Sequence, residues 1–166
     1  MQLITALAAG LLLAGIVSSS AHADPCLGIS LKIDSAGQDA AMSKTAFGYT
    51  ITNVGPKACT VEGFPEIQFL DTKGQPVSAI RIKHENQGYF APGGKPASVE
   101  VKPGGQAAFS IEMVSAPVAD QPCQNAVEAR VTLPHTETPS TFAGSFTSCG
   151  EAVSVTPLRP GPSPLQ

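Results

Sequence analysis

The chain has 166 residues, with 10 basic and 13 acidic side chains for a net charge of −3. The charges are scattered singly, which leaves no basic patch for nucleic acid and no run of like charge. Its 15 prolines and 16 glycines would interrupt a helical protein, yet they suit one all-β domain with many turns.

The chain begins with an apolar run from Leu3 to Val17, and no charged side chain precedes Asp24. Such a run is too short to span a bilayer. Ser18, Ser19 and Ser20 follow, then Ala21-His22-Ala23. This reads as a secretory signal over residues 1–23, cleaved after Ala23. The mature chain is then expected to be periplasmic or secreted, with no membrane span. Cys26 follows Asp24 and Pro25, not the small residues that a lipid-attachment site requires.

From Cys26 onward the dominant signal is period two, the spacing of strands with one buried face. "CLGISLKID" places Leu27, Ile29, Leu31 and Ile33 on one side. "SAGQDAAMSK" reads as one short turn of helix. "TAFGYTITN" aligns Phe47, Tyr49 and Ile51, and "NVGPKA" supplies a turn. In "CTVEGFPEIQFLDTKGQP", Gly63 provides a backbone angle that other residues resist, and Phe64-Pro65 redirects the chain. The strand "EIQFL" follows, with Ile67 and Phe69 inward, and Asp71 to Gly74 close a hairpin turn. "SAIRIKH" offers Ile80 and Ile82, and "ASVEVKP" offers Val99 and Val101. In "AFSIEMV", Phe109, Ile111 and Met113 face inward while Ser110 and Glu112 face water. "VEARVTL" buries Val127, Ala129, Val131 and Leu133. "TFAGSFTSC" returns beside it, and "VSVTPL" closes with Val153 and Val155. The pattern predicts an immunoglobulin-like antiparallel β-sandwich over residues 24–158. Residues 159–166 are too proline-rich to pair or pack and are expected to be a disordered tail.

Four cysteines, Cys26, Cys59, Cys123 and Cys149, remain after cleavage. An even number in an exported chain implies two disulfides, and four thiols allow three pairings. Topology selects among them. Cys26 opens the first strand and Cys59 follows its antiparallel return. Cys123 precedes "VEARVTL" and Cys149 ends the strand returning beside it. The expected bridges are Cys26–Cys59 and Cys123–Cys149.

The blocks "CTVEGFPEIQFLDTKG", "VKPGGQAAFSIE" and "CGEAVSVTPL", in this order with their cysteines, resemble the bacterial domain-of-unknown-function family 4232. The resemblance runs from about Cys26 to Leu158. It implies an exported immunoglobulin-like sandwich with paired cysteines and no assigned activity. Many members are lipoproteins; the residues before Cys26 depart from that pattern.

No reactive constellation emerges from the residues. His84 and His135, with Met42 and Met113, raise the alternative of a periplasmic copper-binding protein. They lack H-x-x-x-H, M-x-x-M or M-x-H spacing, so no metal ligand and no cofactor is assigned. "AGSFTSCG" lacks the G-x-S-x-G nucleophile elbow. Glu62 and Glu66 flank Gly63-Phe64-Pro65 but read as solvated carboxylates, so no catalytic residue is expected. The best interaction candidate is the long connection from Lys83 to Pro96, with His84, Asn86, Tyr89 and Phe90. Its reading is a non-catalytic module that binds a protein or another component of the cell envelope. The competing reading is that Tyr89 or Phe90 folds back over the core.

Overall fold

The computed structural model describes residues 23–117, 121–150 and 152–165. Residues 1–22, which carry most of the leader, lie outside the described residues. Among the described residues, no helix is long and apolar enough to cross a membrane.

Eleven strands appear among the described residues: β1 (Leu31–Ala41), β2 (Lys44–Asn53), β3 (Cys59–Val61), β4 (Glu66–Leu70), β5 (Ile82–His84), β6 (Val99–Val101), β7 (Gln106–Val114), β8 (Cys123–Thr132), β9 (Ser140–Cys149), β10 (Val153–Val155) and β11 (Arg159–Pro160). The larger sheet has the order β1-β2-β7-β10-β5, with β11 also paired to β7. A second sheet has the order β4-β8-β9, and β3 pairs with β6 in a third. All pairs are antiparallel except β10 with β5.

The core lies between the larger sheet and β4-β8-β9, as alternation requires. Tyr49, Ile51, Phe109 and Ile111 from β2 and β7 meet Phe69, Ala129, Val131 and Phe146. Ring contacts cross the two layers: Phe47 with Phe146 at 4.9 Å and Tyr49 with Phe142 at 4.8 Å between centroids. Val61, Val99 and Val101 extend the same core into the β3–β6 pair.

Both disulfides form as expected, Cys26–Cys59 and Cys123–Cys149. Cys123 and Cys149 stand opposite each other on β8 and β9. Each bridge contributes on the order of 3–4 kcal/mol in the chain-entropy model. Such bridges suggest an oxidising environment outside the reducing cytoplasm. The Asp71 turn also forms: the Asp71 carboxylate accepts the N–H groups of Lys73 (2.8 Å) and Gln75 (2.9 Å). The N–H groups of Gln75 and then Lys73 hold that carboxyl below its ordinary pKa.

Five expectations are corrected. The first strand starts at Leu31 rather than Cys26. Gly28–Ser30 forms a 3-10 turn that leaves Leu27 and Ile29 exposed, because β2, the partner, ends at Asn53. The "SAGQDAAMSK" segment is not helical. It completes β1 through a bulge between Ser35 and Gln38, then turns at Met42 and Ser43, both at positive φ (50° and 66°). That is the mirror-image turn that matches strand twist. On β8, a shift between Ala126 and Glu128 turns Ala126 inward and leaves Val127 exposed. Residues 159–165 are not a loose tail: Arg159 and Pro160 pair with Ala108 and Ala107 of β7, and Pro164 is buried. Finally, Ser110 and Glu112 do not face water; both are buried.

The last two corrections share a cause. The outward side chains of β2 and β7 are small or polar: Ala46, Gly48, Thr50, Ala108, Ser110 and Glu112. The chain end and the loop after β5 lie over them. The Thr50 hydroxyl donates to the Pro162 carbonyl. Ser110 N–H donates to the Thr156 hydroxyl at 2.9 Å. Gly48 leaves room for the chain end, since a Cβ there would sit tightly against Pro164 at 3.1 Å and Leu165 at 3.2 Å.

At one end of the sandwich Asn53 is fully buried and satisfied. Its amide donates to the carbonyls of Lys57 and Val101, both at 2.8 Å, and its Oδ1 accepts from Gly55 N–H at 2.9 Å. One side chain thus ties β2 to the loop before β3 and to β6.

Candidate functional site

The loop after β5 is anchored on a buried carboxylate. Glu112 is 4 % exposed, and its Oε2 accepts the backbone N–H groups of Tyr89 (2.6 Å) and Phe90 (3.1 Å). Lys44 Nζ lies 3.3 Å from the other oxygen, Oε1. Gly88 lets the backbone approach this closely, since a Cβ there would lie 2.6 Å from Oε2. A buried carboxylate is costly unless paired and hydrogen-bonded, and here it is both.

A second anchor comes from the chain end. The Arg159 guanidinium donates to the carbonyls of Asn86 (2.7 Å), Gly93 (3.2 Å) and Gly94 (3.4 Å). Gly94 N–H also donates to Asn86 O at 2.9 Å, which closes the loop on itself. Partial burial moves the Arg159 pKa down from its ordinary value.

At the Glu112 anchor the two aromatics part. Phe90 is buried, with Ala91 beside it. Tyr89 is 55 % exposed, and its ring meets Phe90 edge-on at 4.9 Å. Its hydroxyl lies 3.2 Å from Met42 Sδ on the β1–β2 turn, and Met42 is 80 % exposed. Folding back is therefore true of Phe90 and not of Tyr89, and Phe90 folds against the outer face of β7. Asn86 takes part through its backbone carbonyl. His84 stands on β5 with its ring stacked on Phe64 at 4.6 Å.

The residues weighed as metal ligands have separate surroundings. His84 is on Phe64, Met113 is in the core, Met42 contacts Tyr89, and His135 occupies a turn after β8 at φ 62°. Among the described residues, no three His, Cys, Asp or Glu side chains cluster as a metal site. Glu62 and Glu66 are both exposed, and Glu66 begins β4 opposite Thr132.

Sequence reasoning raised Met42 only as a metal ligand, and it missed the roles of Glu112 and Arg159. Alternation assigns Glu112 to the polar face of β7 and stops there. Arg159 carried one signal, as a lone cation in a proline-rich end.

A family model described as "Domain of unknown function (DUF4232)" matches residues 26–159. No curated protein matches the chain, and no solved structure matches it.

Proposed function

The chain belongs to the DUF4232 family, and we propose that it is an exported, non-catalytic binding module of the bacterial cell envelope, periplasmic or secreted. Its partner is a protein or another envelope component, and its contact surface is Tyr89 with Met42.

One observation carries this reading. Arg159 holds the loop at its two flanks and Glu112 holds its middle, and the product of that anchoring is an exposed tyrosine beside an exposed methionine. A tyrosine on a pre-ordered loop gives large contact area with little entropy left to lose on binding. Methionine adds a polarizable, adaptable neighbour. The leader read from residues 1–23 and the two disulfides support export.

The test is capture from cell-envelope extract with wild type and a Tyr89→Ser/Met42→Ser double variant. Both side chains are exposed, so the thermal midpoint should not move. A partner retained by wild type and lost by the variant supports the proposal. Identical capture by the two proteins would overturn it.

A further inference from the structure

We propose a small-molecule site, separate from the Tyr89 surface, in the cleft between the free edges of β1 and β9, taking a neutral ligand with one ring and a hydrogen-bond acceptor. The cleft has a volume of ≈ 320 Å³ and is lined by residues of β1, β2 and β9. This is the lower end of the size range of ligand pockets.

Three observations converge on it. First, both bounding strands bulge where they face it. On β1 the irregularity falls between Ser35 and Gln38; on β9 it lies opposite Ala126–Glu128, at Gly144 and Ser145. Bulges of this kind re-aim side chains beside functional sites. A Cβ on Gly144 would sit 2.9 Å from the Phe146 ring, so glycine lets that ring tuck under the strand.

Second, the apolar lining is aromatic: Phe47, Tyr49, Phe142 and Phe146. Tyr49 is stacked on Phe109 at 5.1 Å and meets Phe142 edge-on at 4.8 Å. Third, polar groups line the cleft and are within reach of a ligand. Tyr49 is 2 % exposed, and its hydroxyl, which has no hydrogen-bond partner among the described residues, keeps contact with solvent at the cleft. The rim side chains Ser35, Gln38, Thr141 and Ser145 are exposed.

The lining contains no charged residue. A charged ligand entering such a cleft would lose hydration with no countercharge to offset it, so the site selects neutral molecules. The ring packs against the aromatic lining, and the acceptor takes the Tyr49 O–H.

The experiment uses benzamide as probe, with isosteric benzoate and apolar toluene as comparators, read from the ring resonances of Phe142 and Phe146 by NMR. Benzamide should give saturable shifts at millimolar concentration, and benzoate at least tenfold weaker ones. Tyr49→Phe should weaken benzamide about five- to tenfold, the range of one lost hydrogen bond, and leave toluene unchanged. Ser145→Trp, which fills the cleft from its exposed rim, should abolish both. The absence of saturable shifts for benzamide and toluene in wild type would overturn the site. Equal binding of benzoate, or undiminished binding of benzamide by Tyr49→Phe, would overturn the ligand class. None of these readouts involves Tyr89 or Met42, so the site and the proposed interaction surface stand or fall apart.

Discussion

The two faces of the β2–β7 strand pair are both buried, by different physics. The inner face is apolar: Tyr49, Ile51, Phe109, Ile111 and Met113 interlock with the opposing sheet. The outer face carries Thr50, Ser110 and Glu112, and is closed by a loop and a chain end that satisfy those groups. Apolar packing stabilises the whole domain and is insensitive to any one polar contact. The outer cover depends on a few directed hydrogen bonds. Losing one should free a segment without unfolding the sandwich.

The largest expected effect is on the inner face. Phe109→Ala removes a fully buried ring between two layers and should cost about 3–5 kcal/mol of global stability. Chemical denaturation should show one cooperative transition at a lower midpoint. A loss below about 1 kcal/mol would mean that the layers are not packed as described.

Alkaline pH tests the same face next. Burial pushes the Tyr49 pKa from 10.0 up to about 12. The folded state holds the proton more tightly than the unfolded state. Stability from neutral Tyr49 is therefore complete below pH 10 and is lost as pH rises through 12. The full loss is on the order of 2–3 kcal/mol. Tyr49→Phe should abolish that fall; denaturation curves between those pH values measure it.

Two outer-face variants follow. Glu112→Ala leaves the Tyr89 and Phe90 N–H groups and Lys44 without their acceptor, and should cost about 2 kcal/mol. Its signature is local: faster amide exchange at Tyr89 and Phe90, with β4 and β8 unchanged. Arg159→Ala removes three partly exposed contacts and should cost about 1 kcal/mol. Exchange at Gly94 should rise while Tyr89 stays protected. If either variant unfolds the domain cooperatively, the distinction between the faces fails.

The same contrast explains what could be read in the sequence. The strand "EIQFL" was legible because Ile67 and Phe69 alternate with Glu66 and Gln68, and the structure places it at those residues. Both bridges were legible because antiparallel returns bring their cysteines to one end. Alternation shows that two faces differ; it does not show what covers the polar one. Ser110 and Glu112 look the same whether water or a loop meets them. Val127 was misplaced because one bulged residue reverses the pattern. Leu27 and Ile29 were misplaced because periodicity does not report where a partner strand stops. Within the interaction candidate, Tyr89 and Phe90 are adjacent and similar in composition; only the way the loop is held on Glu112, with Phe90 turned under and Tyr89 outward, shows which is hidden. The aromatic cleft joins β1 to β9, segments more than a hundred residues apart, and no local pattern couples them.

Native-state hydrogen exchange at the Tyr89 and Phe90 amides tests most directly that this loop is part of the folded structure. Both N–H groups should be protected by several orders of magnitude, approaching the strand amides of β7. Exchange at the rate of an unstructured peptide, with β7 fully protected, would contradict it.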